Sequence, residues 1–150
     1  MKVAILGAGN GGQSIAADLA LNGHEVRLAA VAEHAQGIAV AKVIGGIYLA
    51  GLTSSGKEPG FVNIALATTD IKEAVTGAEV VMVAVPAYGQ EVYMRELVKY
   101  AEPGQIVMFH PGKFGSFVFS QMLKENGREG EVITGETLAL IYAAKGDRVG

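Results

Sequence analysis

The chain has 150 residues, half of them apolar, and a formal net charge of −3. This balance fits one domain and excludes the basic surface on which nucleic-acid binding depends. The absence of cysteine excludes disulfides, thiolate metal sites and cysteine nucleophiles, and it fits a cytoplasmic protein. We find no metal-ligand spacing among the other side chains. The longest weakly charged stretch, residues 38–52, contains Lys42 and three glycines and is too short to span a membrane.

A strand–helix–strand unit opens the chain. Residues 3–6 form a short apolar run that ends in glycines, which is typical of a buried strand. Residues 13–22 carry apolar side chains at helical spacing, and Asn22-Gly23 is a helix stop signal. Residues 25–29 predict the second strand. The whole βαβ unit therefore fits within residues 2–30.

The next segments are less regular. Residues 33–45 predict a second helix that Gly37 weakens. Residues 47–52 and 61–66 are both typical of extended chain, and the segment between them is rich in turn-forming residues. We interpret this pair as a hairpin-like elaboration near residues 47–66 and not as a domain boundary.

Helix and strand patterns alternate through the rest of the chain. The predicted helices are residues 69–75, 90–100 and 114–126. The predicted strands are residues 79–85, 105–109, 131–134 and 138–144. In the helix at 90–100, Val92, Leu97 and Tyr100 are the expected inward positions. This alternation predicts an α/β fold with a doubly wound, mostly parallel Rossmann-type sheet.

The first turn carries the clearest functional pattern, Gly7-x-Gly9-x-x-Gly12. It follows a strand and opens a helix, which is the context that a dinucleotide-binding motif requires. Gly7 would allow the tight turn, Gly9 the close approach of a pyrophosphate, and Gly12 the packing of helix on strand. The alternative is a structural turn without a ligand. A Walker-type phosphate loop is excluded because no Gly-Lys-Ser/Thr follows.

The residue that usually selects NAD is missing. An acidic side chain about 20 residues after the glycines would bind the ribose 2′-hydroxyl. Residues 29–32 instead read Ala-Ala-Val-Ala, and the nearest acid, Glu33, comes late. Arg27 and His34 are the nearby basic side chains, but neither lies in an obvious position for a 2′-phosphate. The choice between NAD and NADP therefore stays open.

Six segments extend the pattern over nearly the whole chain. They lie at residues 2–12, 17–26, 68–78, 83–87, 110–113 and 135–137. In order and spacing they resemble the N-terminal domain of the octopine/nopaline (opine) dehydrogenases. The first segment alone is shared with dehydrogenases of glycerol 3-phosphate and ketopantoate, so the later segments are the ones that favour the opine group.

The resemblance implies a chemistry and a set of contacts. Members of that family use NADH or NADPH to couple an amino acid reductively to a 2-oxo acid. The implied dinucleotide contacts are Gly7, Gly9, Asn10, Gly11, Gly12, Val85, Pro86, Ala87, His110, Pro111, Gly112 and Glu136. The family usually has Asn-Pro-Gly-Arg where this chain has His110 to Lys113. Structural alternatives stay open for Pro86 as a strand end, His110 as a strand-end histidine and Glu136 as a cap.

The resemblance also implies a division of labour. Residues 1–150 correspond to the dinucleotide-binding domain, and the substrate domain of the family is absent from this chain. We expect the chain alone to be catalytically incomplete, with its catalytic residues unknown, and to self-associate through the surface left uncovered. The alternatives are a stand-alone NAD(P)-binding sensor or subunit, and the cofactor domain of a ketopantoate-reductase-like or other 2-hydroxy acid dehydrogenase.

Overall fold

The computed structural model describes residues 1–142. The strands are β1 (Lys2–Leu6), β2 (Glu25–Ala29), β3 (Gly46–Tyr48), β4 (Phe61–Asn63), β5 (Leu66–Thr68), β6 (Val80–Val83), β7 (Ile106–Phe109) and β8 (Ile133–Glu136). The helices are α1 (Asn10–Leu21), α2 (Ala39–Ile44), α3 (Ile71–Val75), α4 (Gln90–Tyr100) and α5 (Gly115–Glu125), with 3₁₀ turns at Ala32–Gly37 and Ala87–Gly89. Among these elements, no helix is both long and apolar enough to cross a membrane.

Six strands form one parallel sheet in the order β5-β2-β1-β6-β7-β8. The chain winds outward from β1 to β5, returns through α3 to the other side of β1, and continues outward to β8. The strand order therefore reverses between β1 and β6, which is the point where open α/β sheets bind ligands. This confirms the predicted doubly wound fold.

The core has two layers, one on each face of the sheet. Ala4 and Leu6 of β1 face a cluster that includes Leu97 of α4 and Phe119 of α5. The alternate residues of β1 face a second cluster, which includes Ile15 of α1. Strands buried on both faces are apolar throughout, which explains the high mean hydropathy of +0.33.

The predicted hairpin is confirmed, but the segment at 61–66 is not one strand. Phe61–Asn63 pairs antiparallel with Gly46–Tyr48 in a separate two-stranded sheet. Leu66–Thr68 instead pairs parallel with β2 and forms an edge of the main sheet. The chain switches sheets at Ala65, whose N–H donates to Val26 O at 2.8 Å. Local hydrophobic alternation carries no signal for such a switch, because both pieces are extended.

Three other predictions are corrected in detail. The predicted helix at 33–45 is divided into a 3₁₀ turn and α2. In α4, Val92 is 48% exposed, whereas Tyr93, Met94 and Leu97 are buried. The predicted strand at 138–144 has no strand in residues 138–142, and the remainder lies outside the described residues.

Candidate functional site

The glycine turn between β1 and α1 fits tightly against the end of β6. Gly7 has a φ of +106°, which L side chains rarely adopt, and its N–H donates to Ala29 O at 2.8 Å. A Cβ at Gly7 would lie 2.6 Å from Ala84 O and would also collide with Val85. Only glycine therefore allows β1 to turn this close to β6.

The other two glycines of the motif differ from each other in how crowded their surroundings are. A Cβ at Gly12 would collide with the carbonyl of Gly7, so α1 packs on the end of β1 only because Gly12 has no side chain. A Cβ at Gly9 would meet nothing within 4 Å. Gly12 thus serves packing, and Gly9 leaves backbone open to the crevice, as the dinucleotide motif requires.

The N-terminus of α1 offers unpaired donors to this open space. Gly9 is the N-cap and has no side-chain hydrogen bond, and the first turn carries no acidic residue. Asn10 is exposed and Gly11 is half-buried. Free N–H groups and the positive end of a helix dipole make such a terminus favourable for a phosphate anion. The cradle formed by this turn fits a pyrophosphate.

Gln13 fixes the turn from behind, which the sequence did not reveal. Its Nε2 donates to Ala8 O at 2.8 Å and to Gly37 O at 3.0 Å. A Cβ at Gly37 would lie 2.7 Å from Ala8 O. Gly37 is therefore required for the 3₁₀ turn to lie this close to the glycine turn. The kink within that turn is at His34, whose backbone is non-helical.

A cavity of about 410 Å³ opens beside the ends of β2 and β5. Val31 and Tyr100 line it, and the charged side chains among its described lining residues are all acidic: Glu33, Asp70 and Glu96. The N–H of Val31 donates to Tyr93 Oη at 3.3 Å. Of these three acids the sequence alone marked only Glu33 for this site, because Asp70 and Glu96 come from the start of α3 and from α4.

Arg27 does not reach this cavity. Its guanidinium donates to Thr76 O at 2.8 Å and to Glu73 O at 3.0 Å, at the carboxyl end of α3. A cation at this end of a helix stabilises the unpaired carbonyls and the dipole. His34 is exposed on the 3₁₀ turn and is not among the residues that line the cavity.

The segment after β6 faces the glycine turn across the strand-order reversal. Ala84 N donates to Leu6 O at 2.8 Å, which continues the β1–β6 ladder to the edge of the sheet. Val85 is half-buried against Gly7, and Pro86 and Ala87 are exposed before α4 begins. The structure thus brings Val85 against the glycine turn, with Pro86 and Ala87 exposed directly after it.

The segment after β7 begins with His110 and lies beside the end of β6. His110 N donates to Val83 O at 2.8 Å, and its side chain is only 3% exposed. Nδ1 lies 3.0 Å from Thr137 Oγ1, whereas Nε2 has no hydrogen-bond partner among residues 1–142. Burial lowers the pKa of His110 below its usual value of 6.5, because desolvation disfavours the imidazolium.

Pro111 and Gly112 are held by residues that the sequence did not mark. Gln90, buried at the start of α4, donates from Nε2 to Pro111 O at 2.6 Å. Gly112 N donates to Thr137 O at 2.9 Å. A Cβ at Gly112 would lie 2.6 Å from Glu136 Cγ. The loops after β7 and β8 therefore form one packed unit.

The Glu136 carboxylate caps α5. It accepts hydrogen bonds from Ser116 Oγ at 2.7 Å, Ser116 N at 2.9 Å and Phe114 N at 3.2 Å. The hydrogen bonds from Ser116 hold the pKa of Glu136 below its usual value. Lys113 and Phe114 are both left-handed, with φ of 52° and 68°, which is costly for non-glycine residues. The hydrogen bonds of Glu136 with Ser116 and Phe114 support its interpretation as a cap. A contact of Glu136 with a cofactor stays a prediction.

Known proteins share this sequence and fold. A family described as "NADP oxidoreductase coenzyme F420-dependent" matches residues 2–108. An opine dehydrogenase of Arthrobacter sp. (strain 1C) is 34% identical over 98% of the chain, and the match spans 39% of that enzyme. The chain thus spans about two fifths of the length of this curated relative.

Solved structures of other proteins share this fold. An octopine dehydrogenase in complex with NADH and agmatine superposes with a TM-score of 0.76 at 23% identity, covering 89% of this chain and 34% of that one. A ketopantoate reductase from Ralstonia eutropha JMP134 gives a TM-score of 0.62 at 26% identity, covering 89% and 40%. The family match includes more than half of the residues. The chain therefore belongs to the coenzyme F420-dependent NADP oxidoreductase family and is homologous to opine dehydrogenase.

Proposed function

We propose that this chain binds NAD(H) or NADP(H) in the crevice between the glycine turn and the end of β6, as the cofactor domain of an opine-type dehydrogenase. The observation that carries the proposal is the open space at Gly9 in front of the free N-terminus of α1. Solved relatives with this fold carry NADH in octopine dehydrogenase and NADP⁺ in yersinopine dehydrogenase. Both dinucleotides present the same pyrophosphate to such a turn.

The two halves of the dinucleotide would extend to opposite sides of the turn. The pyrophosphate would bind the backbone of residues 9–12. The adenosine would occupy the cavity beside Val31 and Glu33, and the nicotinamide half would extend past residues 85–87 toward His110 and Pro111. The sheet order supports this arrangement, because β2 and β7 lie on opposite sides of the strand reversal. Glu136 would act through the loop that it holds, together with Gly112.

We further propose that the domain of residues 1–150 works with a second domain that binds substrate. Octopine dehydrogenase has been solved with NADH and L-arginine, and with NADH and pyruvate. The complete enzyme would accordingly transfer a hydride to the imine of an amino acid and a 2-oxo acid. Such a step needs both reactants held against the nicotinamide and a proton donor close to the imine. We place those groups in the second domain, and the protein in the cytoplasm.

The central experiment is calorimetric titration of the folded chain with NADH and, separately, NADPH. We expect at least one to bind, and a tenfold preference, about 1.4 kcal/mol, would identify the physiological cofactor. Gly9→Val should abolish binding without unfolding the chain, because the backbone at Gly9 has a φ of −74° that valine can adopt. Ser55→Val, at an exposed position in the loop between β3 and β4, is the matched control.

Two results would count against the proposal. A folded wild-type chain that binds neither NADH nor NADPH contradicts dinucleotide binding itself. Full affinity in a folded Gly9→Val variant would show that the pyrophosphate does not approach this turn.

A further inference from the structure

His110 is a buried polar side chain with one nitrogen paired and the other not. The residue is 3% exposed, and Nε2 has no hydrogen-bond partner among the described residues 1–142. Buried polar atoms in native proteins are almost always paired, so an unpaired one needs an explanation. Since Nδ1 is already bound to Thr137, Nε2 is the ring nitrogen whose hydrogen-bonding capacity is unused.

The hydrogen bonds of Thr137 determine which nitrogen carries the proton. Thr137 Oγ1 lies 2.7 Å from Ala139 O, and a carbonyl oxygen can only accept. The single hydroxyl hydrogen is therefore donated to Ala139, and Oγ1 must accept from His110 Nδ1–H at 3.0 Å. Neutral His110 then has its proton on Nδ1. Nε2 is consequently a bare acceptor that requires an N–H or O–H partner.

The register of the sheet places this acceptor on the side of the crevice opposite the adenosine cavity. Leu6 pairs with Val83, and Val83 pairs with Phe109, so Gly7, Ala84 and His110 follow as a row across the edge. Adjacent strands are about 4.8 Å apart, which puts the backbone of His110 about 10 Å from Gly7. Phe109 packs under α5, and side chains alternate along a strand. His110 therefore lies on the other face, with Ala84.

We propose that His110 Nε2 accepts a hydrogen bond from the nicotinamide riboside half of the bound dinucleotide and so fixes the orientation of that half. This inference rests on the proposed function. The donor is either the carboxamide N–H of the nicotinamide or a hydroxyl of its ribose, because these are the two kinds of hydrogen-bond donor in this half. Nε2 is enclosed in the ligand-free chain, so this contact requires the crevice wall at His110 to open when the dinucleotide binds.

Two substitutions separate the roles of the two ring nitrogens. His110→Asn carries an amide N–H close to the place of Nδ1, so it keeps the contact with Thr137 and loses Nε2. His110→Gln carries an amide oxygen close to the place of Nε2, so it can still accept from the ligand. Thermal denaturation of each variant checks that it folds.

Four probes titrated into wild type and both variants locate the donor: ADP, ADP-ribose, 3-acetylpyridine adenine dinucleotide and NAD⁺, or their 2′-phosphorylated counterparts when NADPH binds better. ADP lacks the riboside, and the acetylpyridine analogue lacks only the carboxamide N–H. We expect His110→Asn to bind ADP like wild type and NAD⁺ about three- to tenfold more weakly, the effect of one hydrogen bond. His110→Gln should recover most of this loss.

The ligand at which the loss first appears identifies the donor. A loss confined to NAD⁺ identifies the carboxamide, and wild type should then bind the acetylpyridine analogue three- to tenfold more weakly than NAD⁺. A loss that begins at ADP-ribose identifies a ribose hydroxyl. Either result supports the proposal.

Three results would overturn it. One is equal affinity of wild type and His110→Asn for all four probes, as expected if a buried water satisfies Nε2. Another is an equal loss for every probe, ADP included, which indicates a structural role. The third is ¹⁵N NMR of ligand-free wild type that finds the proton on Nε2. If His110→Asn does not fold, the NMR spectrum and the affinities of wild type for the four probes still decide the proposal. A wild type that binds none of the probes would contradict the proposed function as well.

Discussion

Asp18 is the most buried carboxylate among the described residues. It lies in α1, is 2% exposed, and accepts hydrogen bonds from Tyr142 Oη at 2.5 Å, from Ser54 N at 3.0 Å and from Ser54 Oγ. Burial alone would raise the pKa of Asp18, but the hydrogen bonds from Ser54 and Tyr142 outweigh it and lower the pKa. One side chain thus joins α1 to the hairpin loop and to the segment after β8.

The charge of Asp18 should stabilise the fold. Its pKa lies below 3.8 when folded, so this stabilisation is fully present above pH 3.8 and is lost as the pH falls through the folded value. We expect Asp18→Asn to lower the free energy of unfolding at pH 7 by about 1–3 kcal/mol and to flatten its acid dependence. Urea unfolding at several pH values measures both. An unchanged stability at pH 7 would show that the three contacts contribute nothing net.

Tyr142 should act at the other end of the pH range. Burial and the neighbouring Asp18 raise the pKa of Tyr142 to about 12, so its contribution is complete below pH 10 and is lost as the pH rises toward 12. Tyr142→Phe should remove this alkaline loss and destabilise the chain by about 1 kcal/mol at pH 7. If the Asp18 and Tyr142 substitutions are fully additive, the two side chains are not coupled.

His110 should make the chain sensitive to mild acid. Because burial lowers its pKa from 6.5 in the folded chain, the unfolded chain takes up the proton first as the pH falls. Stability is therefore unaffected above pH 6.5 and decreases below it, until the folded value is reached. His110→Gln should lose this decrease below pH 6.5, as measured by urea midpoints. A wild-type stability that stays level below pH 6.5 would contradict the prediction.

At the scale of elements, the 3₁₀ turn Ala32–Gly37 acts as a brace for the glycine turn. Gly37→Ala would place a methyl group 2.7 Å from Ala8 O and push the two turns apart. We expect a loss of about 1–3 kcal/mol in stability together with weaker NADH binding. Urea unfolding and calorimetric titration measure the two effects, and Gln36→Ala at the adjacent exposed position is the control. Unchanged NADH affinity would show that the brace does not shape the turn.

The elements also show which parts of the structure short-range sequence patterns can predict. The glycine turn and the central strands were predicted because their signals lie within a few residues. In α4 the predicted inward positions Leu97 and Tyr100 are confirmed as buried and half-buried, and Val92 is wrong. The stripe begins with a polar residue: Gln90, Tyr93 and Met94 are also buried, and Val92 falls off this i, i+3, i+4, i+7 pattern. Gln90 can be buried only because it binds Pro111, a contact that local spacing does not encode.

The same limit applies to the candidate site. Gln13 binds a carbonyl 24 residues away, and Asp18 binds a hydroxyl 124 residues away. Gly37 reaches Gln13 through the 3₁₀ turn after β2, and Tyr142 reaches Asp18 only when the chain returns after β8, so a one-dimensional pattern cannot show these partners. The residues expected from the motif were therefore predictable, whereas the residues that hold the motif in place were not.

At the scale of the whole molecule, part of the sheet is not covered by any helix of residues 1–142. Ile106 and Ile133 pair in register on the face of β7 and β8 opposite α4 and α5. Ile106 is 37% exposed and Ile133 is 60% exposed. Exposed apolar surface of this kind favours association. Self-association of the isolated chain stays a prediction of the sequence, and this face is where we expect it.

Sedimentation velocity over a range of concentrations tests this expectation. We expect wild type to form dimers or larger species at micromolar concentrations, and Ile133→Lys to shift the distribution toward monomer. Val43→Lys, which replaces an apolar side chain that is 85% exposed on α2, controls for the added charge. A monomeric wild type, or an equal effect of both substitutions, would contradict association through this face.

The contact of Gly7 with Ala84 and Val85 has a consequence for how the protein is assembled. β1, α1 and β2 are neighbours along the chain and can pair early, whereas β6 joins β1 only after a long excursion, and closing such a loop costs conformational entropy. The crevice is complete only when β6 has joined. A dinucleotide that binds only this closed state would stabilise it by about 2.7 kcal/mol at a hundred times its Kd. Cofactor supply would then govern how long newly made chains remain vulnerable to proteolysis.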